Sequence, residues 1–99
     1  MGIEEEQPFF GFFKAYPNPC YNSTKVSYYL FQKEKIEFEI YDLLGRKIYT
    51  ENKGLQNKGN HEFDLDLEAL NISPGTYLLR LKTLDKSSSI RLVKIKTSY

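Results

Sequence analysis

The sequence predicts an all-β chain, an immunoglobulin-like antiparallel β-sandwich of about seven strands. Three observations carry that expectation. From Thr24 onward apolar and polar residues alternate with a period of two, turn signals recur roughly every 8 to 12 residues, and no stretch sustains helical spacing. At 99 residues the chain is long enough for one domain with its own core. Aromatic residues make up 15% of it, with eight Tyr and seven Phe, and these side chains suit a pleated surface and must build that core.

The chain opens differently from how it continues. Glu4 to Pro8 is charged and turn-like, and Phe9-Phe10-Gly11-Phe12-Phe13 is a dense aromatic stretch with a flexible centre. Residues 1–14 therefore read as a linker or first-strand segment, and residues 15–99 as the domain. Tyr16-Pro17-Asn18-Pro19 marks the entry. Its two prolines fix φ near about −65° and remove two donors, so it can flank a sheet edge but cannot lie inside a paired ladder.

Val26, Tyr28 and Leu30 share one face of the next strand, and Gln32-Lys33-Glu34-Lys35 is a polar connection. Ile36, Phe38 and Ile40 then alternate with Glu37, Glu39 and Tyr41, the pattern of a strand with one buried and one wet face. Asp42-Leu43-Leu44-Gly45 places Asp first and Gly fourth, which predicts a type I turn closed by a left-handed Gly45 in a three-residue hairpin. Arg46 to Lys53 returns as its partner, and Gly54 to Asn60 reads as a polar loop.

His61, Phe63, Leu65 and Leu67 alternate with acidic residues in a further strand, and Glu68 to Pro74 is a crossover, a single helical turn or an irregular corner. Gly75-Thr76-Tyr77 opens a strand through Leu79 and Leu81, turned back at Leu84-Asp85-Lys86 into Ser88 to Lys96. An apolar crossover followed by Pro74, Gly75 and Tyr77 resembles the tyrosine corner of such sandwiches, in which the phenol anchors the crossover to a backbone carbonyl. In the last strand Ile90 and Leu92 lie on one face and Val93 and Ile95 on the other, so either a bulge shifts the register or the strand end is covered on both sides.

Several function classes lose support. A net charge of +1 offers no field for nucleic acid or anionic lipid, and no apolar run is long enough for membrane insertion. Cys20 is the single cysteine, which excludes an internal disulfide and a cysteine-based zinc site. Met1-Gly2 heads no signal peptide, because Glu4-Glu5-Glu6 stand where an apolar region is required.

His61, the single histidine, reads as a rim residue rather than a catalytic base, so no catalytic residues are assigned. Asp64, Asp66 and Glu68 follow from strand alternation and lack a calcium-loop frame, so neither metal nor cofactor is expected. Asn22-Ser23-Thr24 and Asn71-Ile72-Ser73 match the glycosylation pattern but are read as turn chemistry. Tyr29, Tyr41 and Tyr49 could form a sugar-stacking platform, as in a carbohydrate-binding or adhesive accessory module. Lys82, Arg91, Lys94 and Lys96 give the C-terminal hairpin a basic edge of the kind that resists aggregation.

Tyr16-Pro17-Asn18-Pro19, Ile40 through Tyr41-Asp42-Leu43-Leu44-Gly45-Arg46, Pro74-Gly75-Thr76-Tyr77 with Leu79, and Ile90-Arg91-Leu92-Val93-Lys94 occur in this order up to the chain end. In that order and spacing they resemble the C-terminal sorting domain of type IX secretion cargo, the Por secretion tail. The resemblance runs from about Tyr16 to Lys96.

The resemblance implies a non-enzymatic export signal. Such domains end multidomain proteins of the Bacteroidota that enter the periplasm, cross the outer membrane through the type IX translocon, and reach the cell surface or medium. A surface sortase usually cuts ahead of the domain and joins the cargo to anionic lipopolysaccharide. The cut would fall here in Gln7 to Lys14, where the phenylalanines depart from a typical polar linker. Expected partners are the translocon and its sortase and shuttle proteins, with a weak homodimer through an edge strand or Cys20 also open. Carried over by position, the recognition and fold motif comprises Tyr16, Pro17, Asn18, Pro19, Gly45, Pro74, Gly75, Tyr77, Val93, Lys94 and Ile95. A basic edge strand at a chain end could dock by strand addition.

Overall fold

The computed structural model describes residues 10–96, which fold as two facing antiparallel sheets. The strands are β1 (Phe10–Tyr16), β2 (Ser23–Leu30), β3 (Glu34–Asp42), β4 (Lys47–Gln56), β5 (Gly59–Asp66), β6 (Gly75–Lys82) and β7 (Ser87–Lys94). One sheet has the order β1-β2-β5 and the other β4-β3-β6-β7. The expected β-sandwich is the observed one.

Alternation decides what faces inward. Val26, Tyr28, Leu30, Ile36, Phe38, Ile40, Leu79, Leu81 and Leu92 are all 2% exposed or less. Burying each such side chain contributes on the order of 1.5–3 kcal/mol. Phe38 centres the interior, with Tyr28, Phe63 and Phe13 at ring-centroid distances of 5.2, 4.9 and 6.0 Å. Burial pushes the Tyr28 phenol up to about 12, although its hydroxyl donates to Gln56.

The aromatic stretch enters this core. Phe13 is buried on β1, and the register slips between Phe10 and Phe12. Gly11 is thus the extra residue of a bulge, and a Cβ there would stand 3.1 Å from Tyr29 Cδ1. The segment is therefore a strand rather than a linker from Phe10 onward. Of the stretch expected to be cut, Gln7, Pro8 and Phe9 lie outside the described residues, as do Met1 to Glu6.

The β3–β4 hairpin forms as its residues dictate. Gly45 has φ 86°, and its N–H donates to the Asp42 carbonyl at 3.1 Å. The Asp42 carboxylate accepts from the backbone N–H groups of Leu44 and Arg46 at 2.9 Å each, and from Arg46 Nε at 2.7 Å. The polar loop expected over Gly54 to Asn60 is shorter. Glu34 and Lys35 pair with Gln56 and Leu55, so β4 continues past a Gly54 held at φ 71°, and Asn57-Lys58 alone joins β4 to β5.

The crossover is a single helical turn closed by a left-handed Asn71 at φ 59°. The Leu70 N–H donates to the Asp66 carbonyl four residues back, Asn71 to Glu68 three back and Ile72 to Leu67 five back, one turn that does not continue. Tyr77 Oη donates to the Ser73 carbonyl at 2.5 Å, the bond the corner motif predicts. Further along, β6 and β7 pair from Gly75↔Lys94 to Lys82↔Ser87 without a register shift, so the last strand carries no bulge.

Candidate recognition surface

The motif residues scattered along the sequence meet at one end of the sandwich. Gly75 pairs with Lys94 and Thr76 with Val93, Tyr77 pairs with both Leu92 and Asp42, and Gly45 caps the hairpin just beyond Asp42. Tyr16, Pro17, Asn18 and Pro19 leave the end of β1 and run beside β7, with the Tyr16-Pro17 and Asn18-Pro19 bonds cis. Thr24, buried at the start of β2, donates its hydroxyl to the Pro17 carbonyl at 2.7 Å.

This segment closes the outer edge of β7. Asn18 Nδ2 donates to the Arg91 carbonyl at 2.7 Å, and its Oδ1 accepts from the Val93 N–H at 3.0 Å. Cys20 continues as a parallel bridge, its N–H donating to Val93 O at 2.9 Å and its carbonyl accepting from Ile95 N–H at 2.8 Å. The end of β7 is therefore not a free edge, which corrects the expectation that it docks by strand addition. The prolines suit this place. Neither Pro17 nor Pro19 has an N–H to offer, and an amide side chain between them supplies the donor and acceptor instead.

Two further expectations change here. Lys94 does not belong to a basic edge: it points inward, is 8% exposed, and its Nζ lies 3.4 Å from Glu68 Oε1. Strand parity is the reason, since Lys94 shares the buried face with Leu92. Cys20 is 1% exposed within the core, and burial pushes its thiol up against the opposing pull of Lys94. A buried, protonated thiol is closed to a second chain, so the Cys20 route to a dimer is also corrected.

The outer face of β3 is not simply wet. Glu39 is 1% exposed, with Lys47 Nζ at 2.9 Å, Lys82 Nζ at 3.5 Å and Arg80 Nη1 at 3.7 Å, while Tyr41 Oη donates to it at 3.0 Å. Burial pushes this carboxyl up, but the bonds from Lys47 and Tyr41 and the charges of Lys82 and Lys47 outweigh it, leaving Glu39 below the usual range. Long side chains folded over the central strand bury the acid. Alternation alone could not reveal this, because it assigns a face but not what lies above it.

The remaining candidates separate. Tyr29 lies on the outer face of the three-stranded sheet beside Phe12 and Phe31, Tyr41 sits under Arg80 on the other sheet, and Tyr49 packs against the core. They form no common platform. His61 stacks on Tyr28 at 5.3 Å, and its Nε2 lies 2.7 Å from the Asn57 carbonyl, as a rim residue. Asp66 Oδ1 accepts from the Ala69 N–H, and Glu68 pairs with Lys94. Among the described residues no group of three or more His, Cys, Asp or Glu is placed to hold a metal ion.

Sequence reading missed Leu78, and read Arg91 only as part of a basic edge. Leu78 faces outward between Tyr41 and Arg91, and the signal was available in Tyr77-Leu78-Leu79, where an apolar residue breaks the alternation.

Such an arrangement defines a β-sandwich module whose motif residues build one end of the fold. The chain matches the family model described as the secretion system C-terminal sorting domain over residues 14–96. It belongs to that family, the sorting domains of type IX secretion. The family is one of sorting signals rather than enzymes, and membership implies export as the C-terminal part of a secreted protein that engages the type IX machinery. No curated protein and no solved structure matches the chain.

Proposed function

We propose that this domain addresses a multidomain cargo to the type IX outer-membrane translocon, and that the end of the sandwich built by Asn18, Gly45, Pro74 to Tyr77 and Val93 to Ile95 is the part the machinery reads. The convergence of these residues from four stretches of sequence carries the reading. Gly45, Tyr77 and Lys94 hold this end in shape. Asn18 fixes the strand terminus.

A surface sortase then separates cargo from domain and joins the cargo to anionic lipopolysaccharide at the cell surface. Within the stretch Gln7 to Lys14 the cut falls before Phe10. Cleavage inside Phe10 to Lys14 would require β1 to leave its pairing with β2, with Phe13 drawn from the core.

The test is a fusion of residues 1–99 to a periplasmic reporter in a type IX-competent cell. Surface delivery is expected, and sequencing of the released domain should find Phe10 retained. A reporter that stays in the periplasm would overturn the sorting role, and a released domain starting after Phe10 would overturn the cleavage position.

A further inference from the structure

We propose that the outer face of β6 and β7, where Leu78, Val93 and Ile95 form an apolar strip with Arg91 and Arg80 along one side, docks on an apolar protein surface flanked by carboxylates. This inference rests on the sorting role proposed above and names the surface that would serve it. The surface begins with strand parity. With no register shift between β6 and β7, Leu92 and Lys94 point into the sandwich, and Val93 and Ile95 point out. Leu78 joins them from β6, where it pairs with Arg91.

A strand end that is apolar on both faces is expected to be covered on both. Here the inner face is the core, whereas Leu78 remains 40% and Ile95 37% exposed. Docking through backbone pairing is closed along this stretch, because Asn18 and Cys20 already occupy the Arg91, Val93 and Ile95 edge groups. What remains open is the side-chain face.

Charge selects the occupant. Arg80, Lys47 and Lys82 lie over Glu39, whose single negative charge is buried beneath them, and Lys82 also faces Glu37 at 3.8 Å. Arg91 is exposed on the adjoining strand. The solvent side of this face is thus cationic along one side of an apolar strip. A second copy offering the same face would bring like charges together, whereas a partner with carboxylates beside an apolar patch is attracted and oriented.

The experiment uses the same reporter fusion with the intact domain, in two variants. The triple variant Leu78→Ser, Val93→Ser, Ile95→Ser removes the strip, and Arg91→Glu reverses the flanking charge without touching an apolar contact. Each is purified to confirm cooperative unfolding, and surface delivery is compared with the unaltered fusion. Both should lower delivery by at least about tenfold, equivalent to about 1.4 kcal/mol of lost binding.

Failure of the unaltered fusion to export would sink the sorting role itself. Export of the unaltered fusion together with normal export of a folded Arg91→Glu variant would sink this proposal alone, even if the triple variant did not fold. Sedimentation of the purified domain completes the test. A dimer abolished by Arg91→Glu would instead assign the face to a second copy and overturn the proposal.

Discussion

Asn18 and Val93 are paired across 75 positions of sequence, the Val93 N–H donating to Asn18 Oδ1 at 3.0 Å while Asn18 Nδ2 donates to the Arg91 carbonyl two residues away. The carboxamide therefore acts as a peptide group set beside β7. It ties the entry of the domain to its last strand. Pairing of this kind gives the segment Tyr16 to Cys20 a physical role that its prolines alone do not explain.

Replacing Asn18 by Ala removes both bonds. The expected loss is about 1–2 kcal/mol of stability, since each such bond is worth roughly 0.5–1.5 kcal/mol net. Hydrogen exchange locates the effect: the Val93 amide should exchange faster, while the Leu79 amide keeps its protection. Unchanged exchange at Val93 would show that the carboxamide does not hold the strand end.

Tyr77→Phe deletes the hydroxyl that donates to the Ser73 carbonyl. The ring stays in the core, so a fall of about 1–2 kcal/mol is expected with little change in the surface exposed on unfolding. Urea denaturation should therefore show a lower midpoint at a constant slope. An unshifted midpoint would mean that the corner is held by packing rather than by this bond.

Glu39→Gln removes the buried negative charge beneath Lys47, Lys82 and Arg80. The folded carboxyl lies below its ordinary value of 4.5, so its ionised form stabilises the fold. That stability is present above the unfolded value and is lost as pH falls through the lower folded one. Denaturation at neutral pH should find the variant weaker by about 1.5–3 kcal/mol, the range of charge-assisted bonds, with the gap narrowing in acid. A gap that stayed constant with pH would exclude the charge as its cause.

Much of this molecule is legible in its residues. Alternation in Ile36 to Ile40 and in Tyr77 to Leu81 identifies strands and their buried faces, because a period of two leaves one face for the core. Turn chemistry is equally local: Asp42 and Gly45 encode their hairpin within a few residues of each other. The tyrosine corner is readable for the same reason, with Tyr77 only four residues from its acceptor Ser73.

Contacts between distant segments are not encoded in that local way. Nothing near Asn18 announces Arg91 or Val93, nothing near Glu39 announces that Arg80 and Lys82 will close over it, and the inward turn of Lys94 depends on an unbroken register with β6. By itself the sequence determined the strands, the corner, the hairpin and the family pattern, because each is carried by short spacing and backbone preference. The tertiary structure alone decided that the last strand's edge is occupied while its outer face stays open, since edge pairing and burial depend on which segments the fold lays side by side.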